Sequence, residues 1–153
     1  MSTIMKLSEV TVKVTSVIEN LDASGLVADE PERTETTAVG YLHVYENDTA
    51  LVTYRESGEG GTVTTEIAVR GKTVTVSRKG AIESCMVFEE GKSNKFVYSI
   101  PPYRFDAEII TKRMRCEDFV KNGRIELYYN MKIGGADKAA RMKIWILPNS
   151  SLA

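Results

Sequence analysis

Apolar and polar residues alternate in short runs from residue 9 to residue 147, and turn residues separate the runs. In the first run, residues 9–19, Val10, Val12 and Val14 fall on one face and polar residues lie between them. A period of two residues is that of a β-strand with one buried face. No stretch keeps a 3.6-residue period over ten or more residues, so the sequence predicts an all-β protein.

The runs predict ten strands joined by tight turns. Asn47-Asp48, Gly71-Lys72 and Gly134-Gly135 are turn sequences of the kind that join antiparallel strands. Consecutive hairpins favour an antiparallel up-and-down barrel of eight to ten strands over a sandwich. The predicted strands cover residues 9–19, 33–46, 49–57, 63–69, 74–76, 84–90, 95–100, 104–117, 124–133 and 139–147.

The chain length of 153 residues predicts a single domain, residues 1–153. Within it, residues 1–8 are predicted as an N-terminal segment ahead of the first strand. Residues 20–33 are rich in Asp, Glu, Gly and Ser and contain Pro31, which predicts an acidic flexible loop. Any helix is expected to be short and to lie in one of these two segments.

Composition predicts a cytoplasmic protein without membrane or nucleic-acid partners. The chain has two cysteines, Cys85 and Cys116, and neither an apolar leader nor a long apolar run, so two free thiols are expected. Residues 1–60 carry 4 Lys or Arg against 11 Asp or Glu, whereas residues 61–153 carry 16 against 10. This asymmetry is compatible with anion binding. Mutual neutralisation is the stronger explanation, because barrel closure places the first strands beside the last. A pI of about 5.9 lacks the basic character typical of nucleic-acid binding.

Residues 78–91 resemble the characteristic stretch of the YwiB-like family, which comprises small bacterial barrels with no assigned function. The similarity extends from about residue 10 to residue 147 and implies a lipocalin-like or calycin-like fold. At the turn of residues 100–104 the chain reads Ile-Pro-Pro-Tyr-Arg where the family usually reads Thr-Pro-Tyr-Gly, so no role of that turn is carried over. The positions that carry the similarity are Arg78, Gly80, Ser84, Met86, Phe88, Glu89 and Gly91.

Arg78 is the strongest candidate for a binding residue. The period of the strand places Arg78 on the same face as Val74 and Val76, which predicts that it points into the barrel. A guanidinium group in that position needs an anion. One interpretation is a bound carboxylate or phosphate; the other is an ion pair with Glu89 or Glu90, or exposure to solvent at the barrel mouth.

The remaining candidates do not form a recognisable catalytic or metal site. His43 is the only histidine, and neither Cys-x-x-Cys nor His-x-x-x-His spacing occurs, so no metal and no cofactor are predicted. Ser84 with His43 could supply a nucleophile and a base, but the glycines of a nucleophile elbow are missing. The protein is therefore predicted not to be an enzyme, and a hydrolase or isomerase ranks third.

The first functional interpretation is a barrel that binds a small amphiphilic or anionic ligand in its interior. The alternative is a filled barrel that acts as a structural or interaction module through its outer face, because side chains can fill a small barrel completely. The predicted ligand-binding residues are Arg78, His43, Tyr41, Ser84, Met86 and Tyr98.

The last strand carries apolar residues on the face that should meet water. Trp145 and Leu147 are predicted to point outward, and Tyr128 on the preceding strand extends the same patch. An exposed apolar patch of this kind has to be covered. We expect a homodimer related by a two-fold axis, with coverage by residues 4–7 of the same chain as the alternative.

Overall fold

The computed structural model describes residues 4–27, 29–47, 49–117 and 123–148, and their strands confirm the predicted all-β architecture. These residues contain no helix. The ten strands are β1 (Ile4–Asn20), β2 (Glu32–Tyr45), β3 (Thr49–Gly58), β4 (Gly61–Arg70), β5 (Thr73–Gly80), β6 (Ser84–Glu89), β7 (Ser93–Ile100), β8 (Tyr103–Glu117), β9 (Gly123–Ile133) and β10 (Ala136–Pro148).

The strands form one antiparallel barrel of up-and-down topology. Strands that are consecutive in the chain pair with each other, with the exception of β6 and β7, and β1 also pairs with β10. The two ends of this order, β6 and β7, form no continuous ladder with each other; among the described residues, an isolated bridge joins Glu83, just before β6, to Ser99 of β7. We call the junction of these two strands the β6–β7 seam. It is the place where the barrel wall lacks a continuous ladder of hydrogen bonds.

Side chains fill the middle of the barrel. The inward positions of the strands carry branched apolar residues, as the alternating pattern predicts. The ring of Phe88 on β6 crosses the interior to meet Tyr129 on β9, with the ring centroids 4.9 Å apart in an edge-to-face arrangement. The largest fully buried side chains include Phe88, Ile67, Ile109, Ile125, Leu127, Ile144, Val12 and Val76.

The prediction of a separate N-terminal segment over residues 1–8 is wrong for its described part. Strand β1 begins at Ile4, and Leu7 pairs with His43 of β2. Pairing of β1 with β2 extends toward the N-terminus beyond residue 9, where the alternating pattern begins. Main-chain hydrogen bonds between strands do not require alternating apolar side chains. Residues 4–7 therefore do not fold over Trp145, which lies on the opposite side of β1 from β2, on β10. Residues 1–3 lie outside the described residues.

The segment predicted as an acidic flexible loop contains a hydrogen-bonded turn. The Asp22 carboxylate accepts hydrogen bonds from the hydroxyl and the backbone N–H of Ser24, at 2.6 and 2.9 Å, and from the N–H of Leu26 at 3.0 Å. These bonds, above all that from the Ser24 hydroxyl, lower the pKa of Asp22. Leu21 and Val27 form a bridge that closes the turn, and residue 28 is outside the described part.

Candidate functional site

A row of polar side chains crosses the inner face of four strands near one end of the barrel. The register places Tyr54 of β3 opposite Thr65 of β4, Thr65 opposite Arg78 of β5, and Arg78 opposite Ser84 of β6. Residues directly opposite one another in an antiparallel pair have side chains on the same face and close together. The hairpins therefore bring a phenol, a guanidinium and two hydroxyls into one polar row inside an otherwise apolar barrel.

Arg78 has no acidic partner within the described part of the chain. Its side chain is half-buried, and no carboxylate there lies within 4.0 Å of it. Glu89 instead pairs with Lys92 at 3.2 Å, and Glu90 accepts a hydrogen bond from the backbone N–H of Met114 at 3.3 Å. The interpretation in which Arg78 pairs with Glu89 or Glu90 is therefore wrong.

Buried hydroxyl groups surround the guanidinium. Ser84 is 7% exposed, and its Oγ has no hydrogen-bond partner. Burial raises the pKa of Tyr54, and it raises the pKa of Tyr129 to about 12; the positive charge of Arg78 acts in the opposite direction on both phenols. Both tyrosines are therefore neutral at physiological pH. The site offers one positive charge and several hydroxyl groups, which is a set suited to an anion.

Two clefts meet at Arg78. The first, of about 610 Å³, lies at the barrel mouth, and we call it the mouth cleft. The second, of about 770 Å³, lies at the β6–β7 seam, and we call it the seam cleft. Apart from Arg78, the mouth cleft is lined mainly by Thr34, Thr36, Glu56, Val63, Ile82 and Ile100. Arg78 lines both clefts, so a molecule in either cleft would contact this residue.

The predicted ligand-binding residues separate into two groups. Arg78 and Ser84 lie opposite each other in the polar row. Met86 is the next inward residue of β6 and is packed in the core, and Tyr98 is half-buried on β7. The prediction that Tyr41 and His43 line the interior is wrong. Arg78, Ser84, Met86 and Tyr98 remain candidate ligand-binding residues.

Tyr41 and His43 lie on the outer face because their neighbours Gly40 and Leu42 face inward. A Cβ at Gly40 would lie 3.1 Å from the Cβ of Tyr54 and 3.3 Å from Val12 Cγ2, so the absent side chain makes room for the core. Tyr41 is 53% exposed. His43 and Ser84 thus lie on opposite faces of the barrel wall and do not form a nucleophile and base pair.

The comparisons with known proteins identify a family. Residues 3–146 match the family described as Domain of unknown function (DUF1934). The chain belongs to the DUF1934 family. The fold of the DUF1934 chain is also that of the solved structure titled "Crystal structure of ywiB protein from Bacillus subtilis", with a TM-score of 0.81, 24% identity and 96% of each chain covered. The comparison with curated proteins finds no match.

Cations flank the predicted interface residue Trp145 of the DUF1934 chain. Lys13 Nζ lies 5.7 Å and Arg124 Cζ 5.9 Å from the centre of the indole ring, on the two neighbouring strands. Arg124 in turn donates to the buried carboxylate of Glu126 at 2.6 Å. Trp145 lies on the outer face of β10, where much of the indole contacts side chains of its own chain. Leu147 is 39% exposed, and Tyr128 is half-buried.

Neither a metal cluster nor a membrane-spanning helix occurs in the part of the DUF1934 chain that the structure describes. No three His, Cys, Asp or Glu side chains there converge in a way that could hold a metal ion. The described residues contain no helix long and apolar enough to cross a membrane. Cys85 and Cys116 are both free and exposed.

Thr65 belongs to the polar row, and Lys95 and Arg104 line the seam cleft beside it; none of the three is among the residues that the sequence predicts for the site. The positions of the turns could have identified Thr65: pairing outward from Gly58 and Gly61 puts Thr65 opposite Tyr54. The two cations line the seam cleft. No local signal identifies them, because the place where a barrel fails to close depends on all ten strands together.

The buried phenol of Tyr129 predicts a loss of stability at alkaline pH. Its pKa is raised from 10.0 to about 12, so between these values the unfolded chain releases a proton that the folded chain retains. The corresponding stability is complete below pH 10 and is lost as the pH rises toward 12, by about 3 kcal/mol for two pKa units. Urea titrations from pH 8 to 12 measure the free energy of unfolding.

Tyr129→Phe is the matched control for this effect, because it removes only the titrating hydroxyl. The free energy of unfolding of the variant should fall less steeply between pH 10 and 12 than that of the wild type. All the other ionisable groups are common to both proteins, so the difference between the two curves isolates Tyr129. Parallel curves would contradict the assignment.

Proposed function

We propose that the protein binds a small anionic molecule at the open end of its barrel, with the anionic group paired to Arg78. The observation that supports this most directly is a half-buried guanidinium without a carboxylate within 4.0 Å in the described chain, placed beside the unpartnered hydroxyl of Ser84. Removing a charge from water is unfavourable unless a partner compensates it. A bound anion supplies that partner.

The mouth cleft favours a ligand with an apolar part. Val63, Ile82 and Ile100 supply apolar surface, and Thr34 and Thr36 supply hydroxyl groups on the facing strand. Glu56 carries a negative charge at the same mouth and disfavours a second anionic group there. An amphiphilic molecule would thus place its charged end at Arg78 and its apolar end against the isoleucines. Free Cys85 and Cys116 support a role in a reducing compartment such as the cytoplasm.

Native mass spectrometry of freshly purified protein tests the proposal. We expect the wild-type protein to carry a small molecule whose additional mass disappears on acid denaturation. Arg78→Gln should be recovered without that mass, whereas Lys72→Gln, which removes an exposed cation at the β4–β5 turn, should retain it. Identical ligand-free spectra of all three proteins, unchanged after incubation with total small-molecule extract, would refute the proposal.

Self-association through the outer face is a second candidate function. Leu7, Val39 and Tyr41 are 62%, 59% and 53% exposed on the outer face of β1 and β2. Leu7 lies opposite His43, whereas Tyr41 and Val39 lie opposite Glu9 and Thr11. Leu147 of β10 faces Thr11, which in turn faces Val39, so the patch continues across three strands. A two-fold axis through this surface would bury the same residues of both copies. The centre of the predicted interface thereby moves from Trp145 toward Val39.

Val39→Glu is expected to convert the proposed dimer into a monomer. Two copies related by a two-fold axis would bring two unpaired carboxylates into an apolar contact, which is strongly unfavourable. Sedimentation velocity at tens of micromolar measures the mass, with Thr37→Glu on the same face of the same strand as the control. A wild-type protein that sediments as a monomer would contradict the dimer.

A further inference from the structure

Basic side chains collect on the outer face of four adjacent strands, β1, β10, β9 and β8. Side chains directly opposite one another in antiparallel strands share a face, so the register gives their arrangement. We call the outward positions of residues 13–19, 139–145, 124–130 and 112–117 the basic face. Its only carboxylates are Glu19, Glu117 and Glu126, and all residues of these ranges are described. Its cations are Lys13, Lys112, Arg113, Arg115, Arg124, Arg141 and Lys143.

Ion pairs neutralise one part of the basic face and leave another part charged. Arg141, Arg113 and Lys112 are exposed and have no carboxylate within 4.0 Å in the described part of the chain. The register places Arg141 and Arg113 on the two sides of Tyr128, one on β10 and one on β8. The unpaired charge is therefore concentrated around one aromatic side chain. The cations that do lie within 4.0 Å of a carboxylate are Lys13, Arg115, Arg124 and Lys143.

A small cleft lies on the basic face beside Tyr128, and we call it the Tyr128 cleft. Its volume is about 230 Å³. The small side chain of Ala139, which lies between Glu19 of β1 and Asn130 of β9, leaves room for it. On the other side β8 bulges, because Lys112 is an additional residue at the register shift between residues 111 and 113. The charged and polar side chains that line the cleft are Glu19, Lys112, Tyr128, Asn130 and Arg141.

This lining combines three kinds of group that bind a nucleotide. The half-buried ring of Tyr128 offers an apolar surface on which a base can stack. Arg141 and Lys112 supply positive charge for a phosphate group. Glu19 and Asn130 supply hydrogen-bonding groups for the edge of a base, because a carboxylate accepts from an amino group and an amide both donates and accepts.

The position of Arg113 favours a nucleic-acid strand over a single nucleotide. Arg113 does not line the Tyr128 cleft, and it lies two strands away from Arg141. Neighbouring strands are about 4.8 Å apart, so the backbone positions of the two arginines are separated by roughly 10 Å. A base in the cleft with its phosphate on Arg141 leaves Arg113 for another phosphate of the same strand. The flexible backbone of a single strand can follow the convex outer wall of the barrel.

We propose that the basic face binds single-stranded nucleic acid, with one base in the Tyr128 cleft and phosphates on Arg141 and Arg113. Glu19 should favour a base with an amino group, since that group donates to the carboxylate whereas the corresponding carbonyl of uracil repels it. The prediction of no nucleic-acid partner rested on the pI of the whole chain, which averages the basic face with acidic residues elsewhere. The new site is independent of Arg78, whose strand β5 does not belong to the basic face.

Fluorescence anisotropy with labelled RNA strands of about ten nucleotides, oligocytidine and oligouridine, tests the proposal. We expect the wild-type protein to bind oligocytidine at least about fivefold more tightly than oligouridine. Tyr128→Leu should weaken binding of both strands by about tenfold because stacking is lost, and Tyr128→Phe, which keeps the ring, by less than about threefold. Glu19→Ala should reduce the preference for cytidine to less than about twofold.

The salt dependence of binding tests the phosphate contacts. Arg141→Gln and Arg113→Gln should each weaken both strands by about threefold to tenfold. Each should also lower the slope of log Kd against log salt concentration by about 0.7, the value for one phosphate contact with a single strand. Arg70→Gln is the matched control, because it removes an exposed arginine on β4, outside the basic face. Neither Arg70→Gln nor Arg78→Gln should alter RNA binding, so this proposal and the proposed function are tested separately.

Several results would overturn the proposal. A wild-type protein that binds neither strand at low salt lacks the site. Equal weakening by Arg70→Gln and Arg141→Gln would show attraction by overall charge instead of binding to the basic face. Unchanged binding in Tyr128→Leu would show an anion-binding surface without a site for a base, as expected for contact with a membrane or an acidic protein. Cytidine monophosphate that binds as tightly as oligocytidine would show a site for a free nucleotide instead of a strand.

Discussion

Arg78→Met is expected to lower the affinity for the anionic ligand by about tenfold to a hundredfold, the equivalent of about 1.5–3 kcal/mol for hydrogen bonds to a charged group. The same change is expected to leave the free energy of unfolding unchanged or to raise it by about 0.5–1 kcal/mol. Methionine keeps much of the apolar stem of Arg78 and removes a half-buried charge that has no carboxylate partner in the described structure. Binding and stability should therefore change in opposite directions.

Urea unfolding without ligand and titration with the ligand measure the two effects separately. Lys72→Met is the matched control, because it removes an exposed cation at a turn and should alter neither quantity. An ion pair inside the protein predicts the opposite result, since it would leave a carboxylate unpaired in the variant. A loss of more than about 1 kcal/mol would therefore show that Arg78 serves the fold rather than a ligand.

The fold could be predicted from the sequence because alternation and turns are local signals. The turns at Gly58–Gly61 and Gly71-Lys72 each join two strands whose register follows by counting outward from the turn. That register determines the polar row. The alternation of residues along β5, which is also a local signal, predicts that Arg78 points into the barrel. Its lack of an acidic partner could not be predicted, because it depends on where Glu89 and Glu90 lie in three dimensions.

The face of β2 was misassigned for a physical reason that is visible in the core. Tyr41 and His43 alternate with Gly40 and Leu42, so both faces of this stretch are compatible with burial. Glycine at an inward position looks like a break in an apolar face. Here it is required, because a Cβ at Gly40 would lie 2.6 Å from the carbonyl oxygen of Thr53 and against Tyr54. The size of the facing side chain, rather than the period, decides the orientation.

The missing ladder at the β6–β7 seam arises from a contact between distant parts of the chain. The segment of residues 90–92 between β6 and β7 is short enough to form an ordinary hairpin turn. Instead, the N–H of Gly91 donates to the carbonyl of Thr111 at 2.8 Å, and the N–H of Thr111 donates to the carbonyl of Lys92 at 3.0 Å. These two bonds attach the turn to β8 and leave the edges of β6 and β7 unpaired beyond it. A pattern confined to residues 84–100 does not contain this information.

Phe88→Ala is expected to lower the free energy of unfolding by about 3–5 kcal/mol, because Phe88 is fully buried and its removal leaves a cavity. A second effect should be confined to the seam. Strand β6 pairs continuously only with β5, so the contact of Phe88 with the Tyr129 ring, 4.9 Å between centroids, holds β6 to the far side of the barrel. Loss of that contact should allow β6 to open locally before the barrel unfolds.

The alkylation rate of Cys85 in a Cys116→Ser background detects this opening, because Cys85 lies on β6 at the seam. Ile144→Ala on β10 is the matched control, since it removes a fully buried side chain away from the seam and should cost about 2–5 kcal/mol. At equal global stability, set with a stabilising osmolyte, Cys85 should react faster in Phe88→Ala than in Ile144→Ala. Equal rates would mean that β6 opens only when the whole barrel unfolds, and that the seam is as rigid as the paired wall.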